Sequence, residues 1–298
     1  MTSSTSLMAA PMRSAARALG ALAHRAAASG VAPTPAGGIA TSLVVRNASV
    51  WSAGQARASS FRNVIADVVG SDASTSGYQP DPDTLRFCEP PALNGGRKLK
   101  VAVLLSGGVD SSVALTLLKA AGHDCVAFYL QIWFVEDFRN TWDQCPWEED
   151  LRVAESVCER VGVPLETVPL TDEYWNLVVK DSVEEIRKGR TPNPDVLCNS
   201  RVKFGAFREW LARTHPGEFD RVASGHYAAV ERADVGELAR LVMSGDAFKD
   251  QTYFLADLSQ EQLGSVCFPV GGMPKAEIRA LAASAELPNA GRKDSQGI

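Results

Sequence analysis

The sequence lacks the features that define several large classes of protein. No apolar stretch among its 298 residues approaches the roughly 20 residues needed to cross a bilayer, so we expect no insertion into a membrane. The six cysteines form no CxxC pair and are widely spaced, which argues against a zinc site and against the disulfide scaffold of a small secreted protein. GxGxxG and GK[ST] are also absent, which disfavours dinucleotide binding and excludes a Walker loop.

The first 66 residues lack both lysine and acidic residues. They contain six arginines and many alanines and serines, a composition typical of an organellar transit peptide. We predict such a peptide over residues 1–66, directed to the mitochondrion, with the chloroplast as the alternative destination and a plain disordered tail as the alternative interpretation. Residues 67–97 contain PDPD, EPP and NGG and are predicted to form a disordered linker.

The rest of the chain is strongly acidic. After residue 66 there are 24 basic and 35 acidic residues, a net charge of -11. Nucleic-acid-binding proteins usually carry a basic face, because contacts to phosphates supply much of their affinity. An RNA-binding surface here would depend on local basic groups, for which the candidates are Arg187, Lys188, Arg190, Arg201, Lys203, Arg292 and Lys293.

From Leu99 onward, short apolar runs alternate with stretches of helical periodicity. LKVAVLL, HDCVAFYLQIWF, LETVPL and RVASGHYAAV predict four strands, and the segments between them predict helices. This alternation is typical of the α/β class, with a Rossmann-like, mostly parallel sheet and helices on both faces. We expect one domain of this kind over residues 98–245 and only the start of a second domain over residues 246–298.

The string SGGVDSS, Ser106–Ser112, follows the first predicted strand directly. Its two glycines allow the backbone to approach a ligand closely, and the start of the next helix offers free N–H groups to an anion. A phosphate is therefore the expected ligand, with an ordinary strand-to-helix turn as the alternative. Asp110 would repel phosphate unless a magnesium ion bridged the two, so Asp110 is the candidate Mg2+ ligand.

SGGVDSS resembles the pyrophosphate loop of the ATP pyrophosphatases, which cleave ATP between its α and β phosphates. The resemblance implies an adenine nucleotide alpha hydrolase-like fold that binds ATP with Mg2+. The residues it assigns to ATP around the loop are Leu104, Leu105, Ser106, Gly107, Gly108, Val109, Asp110 and Ser111.

Further motifs narrow the class. They are GRTPNPDVLCNSRVKF from Gly189, ASGHYA from Ala223, KDQTYFL from Lys249, CFPVGG from Cys267, and the terminal GRKDSQGI. In this order they resemble the tRNA-specific 2-thiouridylases, from about Val101 to the last residue. The resemblance implies that the C2 oxygen of the wobble uridine is adenylated and then replaced by sulfur, because AMP is a far better leaving group than oxide. It also implies that residues 98–245 form the ATP-binding catalytic domain and that residues 246–298 begin a tRNA-binding domain. Two partners are implied as well, tRNA and a persulfide sulfur donor protein.

Cys198 is the candidate nucleophile. Asn193 can cap and Pro194 can open a helix in which Cys198 lies about one turn from the start, where the helix dipole and Arg201 or Lys203 would favour the thiolate. By resemblance Cys198 is the family's nucleophilic cysteine, and Asp195 helps to handle charge or protons on the uracil. The alternatives are a buried helix cysteine and a helix-start acid stabilised by the dipole.

The resemblance assigns further contacts to both substrates. Leu130 would contact adenine through its backbone, and Gly225 would contact ATP. Simple core packing is the alternative for Leu130, and a structural role is the alternative for His226. The residues assigned to tRNA are Asn193, Pro194, Asp195, His226, Lys249, Asp250 and Gln251, the last three of which could instead form a solvated turn.

The resemblance also places a second, persulfide-carrying cysteine directly after a KDS-x-GI string, and it implies a disulfide bond. Here that string is KDSQGI, and Ile298 is the last residue given. We therefore expect the chain as written to bind ATP without completing persulfide-dependent thiolation. Two alternatives stay open, namely an ATP pyrophosphatase that uses an amine nucleophile and an inert nucleotide-binding module.

Overall fold

The structure of the chain is a computed structural model that describes residues 86–90, 95–132, 146–232 and 238–294. The transit peptide predicted over residues 1–66 and most of the linker lie outside these ranges, so both stay predictions, as does the mitochondrial destination. Within these ranges, no helix has both the length and the apolar character that spanning a membrane requires.

A five-stranded parallel sheet forms the centre of the described chain, in the order β3-β2-β1-β4-β7. β5 and β6 pair separately as an antiparallel hairpin. The strands are β1 (Lys100–Leu104), β2 (Asp124–Gln131), β3 (Leu165–Pro169), β4 (Arg221–Ala223), β5 (Ala228–Glu231), β6 (Arg240–Met243) and β7 (Val266–Cys267). The order reverses between β1 and β4, and the crevice at such a switch point is where open α/β sheets bind ligands.

Helices cover both faces of the sheet, which confirms the predicted α/β class. Two of them contain π-helical segments, Trp175–Lys180 within residues 171–187 and Cys198–Ala206 within residues 194–214. Short 3-10 helices occupy Arg86–Cys88 and Thr252–Leu255. The α-helices are α1 (Val109–Ala120), α2 (Pro146–Val161), α3 (residues 171–187), α4 (residues 194–214), α5 (Gln260–Ser265) and α6 (Lys275–Ser284).

The described residues form two hydrophobic clusters, one on each face of the sheet, because successive side chains of β1 point to opposite faces. Val101 and Val103 face a cluster built with α1, α2 and α6, whereas Ala102 and Leu104 face a second cluster built with α3 and α4. All four side chains are buried, as expected for a parallel strand covered on both faces. The C-terminal end of α1 is marked by Gly122, which adopts a φ of 90° directly after the helix, where an L-residue would be strained.

One predicted strand is wrong. RVASGHYAAV forms two strands, β4 in the parallel sheet and β5 in the hairpin. The break falls around Gly225, where the backbone passes so close to α1 that an added Cβ would lie 2.5 Å from the Ser111 nitrogen. Ser224, Gly225 and His226 interrupt the apolar residues at this point, and a glycine inside a predicted strand can mark such a bend, so the sequence carried a signal that the prediction missed.

The second domain predicted to begin at residue 246 stays a prediction. Two elements from that range nevertheless pack against the domain predicted over residues 98–245, because β7 pairs with β4 and α6 packs on α1. β7 has only two residues and was not predicted.

Candidate active site

The loop between β1 and α1 is held in shape by its own hydroxyl groups. The Oγ atoms of Ser111 and Ser112 donate to the Gly108 carbonyl at 3.0 Å and 2.9 Å, and Ser106 Oγ lies 3.3 Å from Ser111 Oγ. Gly108 caps α1 without a side-chain hydrogen bond to the first turn. The N–H groups of that turn are therefore available to an anion, as the sequence predicts.

A second set of contacts fixes the loop from outside. Gly107 has a φ of 75°, and a Cβ there would lie 2.6 Å from the Asp150 carbonyl oxygen. Its own carbonyl accepts hydrogen bonds from Asn289 Nδ2 at 2.9 Å and from Arg292 Nη1 at 3.1 Å. Asn289 Nδ2 also lies 2.9 Å from Ser112 Oγ. The predicted loop residues thus depend on a segment more than 170 residues later in the chain.

The loop opens on a cavity of about 340 Å³ at the carboxyl ends of β1, β2 and β4. Cys198 and the loop line the same cavity, although they lie on different elements. The predicted residues that line it are Leu104, Leu105, Ser106, Gly108, Val109, Asp110, Ser111, Leu130, Cys198, Gly225, His226 and Gln251. Those outside its described lining are Gly107, Asn193, Pro194, Asp195, Lys249 and Asp250.

Several lining residues were missed or were noted only for their charge. Phe128 and Ile132 flank Leu130 at the end of β2, so that position could have suggested them. Asp150 carries no local sequence signal that points to a site, whereas Asp294 lies in the GRKDSQGI motif, where its role was missed. The full set is Phe128, Tyr129, Ile132, Asp150, Lys203, Ser224, Lys293 and Asp294.

The start of α4 matches the prediction, but the state of its cysteine does not. Asn193 Oδ1 accepts hydrogen bonds from the backbone N–H groups of Asp195 at 3.0 Å and Val196 at 3.3 Å. Burial raises the pKa of the Cys198 thiol above its usual value, and Lys203 only partly offsets this. Arg201 pairs with Asp181 at 3.0 Å instead. Cys198 is therefore a thiol at neutral pH in this structure. The prediction that its surroundings favour the thiolate is wrong, because burial outweighs the nearby lysine.

This pKa makes the reactivity of Cys198 testable. The rate of its alkylation by iodoacetamide should rise about tenfold between pH 7 and 8 and continue to rise to pH 9, because only the thiolate reacts. Lys203→Met should slow the reaction at pH 8, since the lysine is the group that lowers the pKa. Mass spectrometry of the peptide that contains Cys198 measures the rate, and a plateau below pH 8 would contradict the assignment.

The other described cysteines are structural. Cys158 lies in the core, together with Cys88, Cys125 and Cys267. These four and Cys198 are free thiols, so the implied disulfide does not occur among the described residues, from which Cys145 is absent. Of the five, only Cys198 lines the cavity.

Comparison with known proteins places the chain in a family. The family model described as tRNA methyl transferase HUP domain matches residues 99–298. The chain belongs to this family. It is 42% identical over 200 residues to the tRNA-specific 2-thiouridylase MnmA of Parabacteroides distasonis, covering 67% of this chain and 54% of that protein. It is 46% identical over 199 residues to the enzyme of the same name from Shouchella clausii, covering 67% and 52%.

The resemblance found in the sequence is therefore confirmed for the HUP domain, and the chain spans about half the length of the curated relatives it matches. Among solved structures, the NMN synthetase from Francisella tularensis aligns with a TM-score of 0.43 at 15% identity, covering 72% of each chain.

Within this HUP domain, cationic side chains pair with the acidic residues at the cavity. Asp150 pairs with Arg292, and Asp110 pairs with Lys275. Asp294 pairs with Lys275, Lys249 and Arg279. Burial would raise the pKa of Asp294, but hydrogen bonds from these three cations hold it well below its ordinary value.

The donor set of the HUP domain does not form a magnesium site of its own. In the described part of the chain, no three His, Cys, Asp or Glu side chains converge in a way that could hold a metal ion. The predicted ligand Asp110 already accepts hydrogen bonds from Lys275 and from Tyr227. A divalent cation bound there would meet the Lys275 ammonium, so the residues present do not fit a resident Mg2+ ion.

The residues assigned to tRNA serve structural contacts in the HUP domain. Asp250 accepts hydrogen bonds from the backbone N–H groups of Ser244 at 2.7 Å and Thr252 at 3.1 Å. Gln251 makes two hydrogen bonds with the backbone of Tyr227. Contact of Lys249, Asp250 and Gln251 with tRNA stays a prediction.

His226 is neutral in the described cavity. Its Nδ1 atom lies 2.7 Å from Ser224 Oγ, and its ring packs against Phe204 and Phe268, which also contact each other. Burial, with a smaller contribution from Lys203, holds the His226 pKa well below its usual value. An uncharged imidazole offers hydrogen bonds to a ligand but no ionic attraction to phosphate.

Proposed function

We propose that this chain supplies the ATP-dependent step of tRNA uridine 2-thiolation. The observation that carries the proposal is that a phosphate-type loop and Cys198 line one cavity. The name of the matched relatives, tRNA-specific 2-thiouridylase, supports it. The family description instead names methyl transfer, which requires no site for pyrophosphate.

The first step is adenylation of the base. The C2 oxygen of uridine attacks the α phosphorus of ATP, the bond from that phosphorus to the bridging oxygen breaks, and pyrophosphate leaves. The N–H groups at the start of α1 are placed to stabilise the charge on that leaving group. Leu130 offers an apolar contact for adenine. Mg2+ enters this proposal only as part of the MgATP substrate.

The second step transfers sulfur from a persulfide. Its terminal sulfur attacks C2, and the bond between C2 and oxygen breaks, so AMP leaves with the former base oxygen. The Cys198 thiolate then attacks the inner sulfur of the resulting disulfide. That attack releases 2-thiouridine and leaves Cys198 joined to the donor cysteine as a disulfide. Since burial keeps Cys198 protonated, a base must first accept its proton.

The test uses ATP labelled on its α phosphate, with the label followed into both AMP and RNA. A tRNA with uridine at the wobble position should accelerate conversion of the labelled ATP at least about tenfold over a tRNA with cytidine there. Both bases have a C2 oxygen, but a site built for the N3–H and C4 carbonyl of uracil rejects the N3 lone pair and C4 amino group of cytosine. Equal rates with both RNAs would contradict the proposal. Acceleration by a small amine rather than tRNA would favour the amine-using pyrophosphatase, and no turnover would favour the inert module.

A further inference from the structure

Lys275 joins two acidic residues that line the cavity. At the start of α6, its Nζ atom lies 2.7 Å and 2.9 Å from the two carboxylate oxygens of Asp110 and 2.9 Å from Asp294 Oδ1. The Lys275 side chain is only 15% exposed. An ammonium group this close to two carboxylates is held by charge-assisted hydrogen bonds, which are stronger than neutral ones.

The Asp110 carboxylate is almost fully occupied. Tyr227 donates a third hydrogen bond to it at 2.8 Å, and a carboxylate offers about four acceptor positions. Burial, together with the Asp110 charge, raises the pKa of Tyr227, so the phenol remains a donor at neutral pH. Asp110 is therefore held by protein donors, which leaves little room for metal coordination.

The position of Asp110 creates an electrostatic problem for an anionic ligand. It lies in the first turn of α1, beside the N–H groups that would hold a phosphate. An unpaired carboxylate there would repel a bound triphosphate, because the like charges would lie close together where water screens them only in part. Lys275 cancels that negative charge from the side of α6.

We propose that Lys275 is a positioning residue that neutralises and orients Asp110, so that the loop accepts nucleotide phosphates without a resident metal ion. The inference rests on the proposed function, because it concerns the same nucleotide site. Lys275 is assigned no contact with the reacting atoms. It acts through Asp110, while Asn289 and Arg292 hold the other end of the loop.

Binding of the non-hydrolysable analogue α,β-methylene ATP, with Mg2+ or with EDTA, tests this inference. In EDTA, Lys275→Met should weaken binding at least about tenfold, because it leaves the Asp110 charge unpaired beside the phosphates. Mg2+ should recover part of that loss, since Asp110 is then free to take a metal. Lys275→Arg keeps the charge and should bind within about threefold of the unaltered chain.

The double variant Asp110→Asn with Lys275→Met is decisive. Removing both charges should return binding in EDTA to within about threefold of the unaltered chain, which a purely structural role for Lys275 would not allow. Arg208→Gln is the control, because it removes a cation from Glu261, which is not among the described residues that line the cavity, and it should bind the analogue like the unaltered chain. Circular dichroism and thermal melting verify that each variant is folded.

The outcomes separate the two hypotheses. If the unaltered chain binds no nucleotide, the proposed function fails. If it binds and Lys275→Met binds equally well in EDTA, only the inference about Lys275 fails. A double variant as weak as Lys275→Met would also overturn the inference, because the loss would then not come from the Asp110 charge.

Discussion

Replacing Gly225 with alanine is expected to weaken nucleotide binding at least about 100-fold, the cost of misplacing binding groups by roughly 1 Å. The new Cβ would lie 2.5 Å from the Ser111 nitrogen and 2.7 Å from the Asp110 carbonyl carbon. Both atoms belong to the backbone, so no side chain can rotate to make room. Either the end of β4 or the first turn of α1 must move, and that turn carries the N–H groups proposed to hold phosphate.

A matched substitution distinguishes this effect from the ordinary cost of losing a glycine. A Cβ at Gly264 on α5 would meet nothing within 4 Å, so Gly264→Ala should bind the nucleotide analogue like the unaltered chain. Titration calorimetry measures the affinity, and thermal melting reports any overpacking cost, expected at about 1–3 kcal/mol for Gly225→Ala. Normal affinity in folded Gly225→Ala would show that phosphate does not bind at this turn.

Local periodicity predicted most of the fold because the buried strands are short apolar runs between amphipathic helices. β1, β2 and β3 and the helices after them follow this rule. The pattern failed where tertiary contact overrode it. Gly225 divides one predicted strand into two because α1 passes beside it, and β7 is too short to have a period. Neither cause is visible in a window of neighbouring residues.

The same distinction between local patterns and contacts of distant residues applies to the candidate site. The Asn193 cap and the Ser106–Ser112 loop are local features, and the sequence predicted both. Lys275 lies 165 residues from its partner Asp110, and Asn289 lies 182 residues from Gly107. Only the packing of α6 and the turn after it brings these groups to the loop. A lysine and an asparagine without a motif give no reason to expect this.

The charge on Cys198 could not be predicted from sequence for a different reason. Helix position and a nearby lysine both favour thiolate, and these signals are visible in the sequence. The opposing effect is burial, which depends on the helices and strands packed around the residue. In this structure burial is the larger effect, so activation of Cys198 requires proton transfer during the reaction rather than a permanently ionised thiol.

The second large effect is expected on stability, from Phe128→Ala. Phe128 is fully buried on β2, and its ring lies 5.2 Å from that of Phe207, 5.5 Å from Phe219 and 6.0 Å from Trp210. Truncation should reduce the free energy of unfolding by about 3–5 kcal/mol, the usual cost of losing a buried aromatic side chain together with the cavity left behind.

Phe248→Ala is the matched control, because Phe248 is fully exposed and should lose no more than about 0.5 kcal/mol. Urea unfolding of both variants measures the difference. Phe207 and Trp210 belong to α4, the helix that also contains Cys198. Loosening their contact with β2 should therefore speed alkylation of Cys198 in the folded state. Equal stability of the two variants would show that α4 is not anchored to the sheet through Phe128, and the geometry that places Cys198 beside the phosphate loop would then need another support.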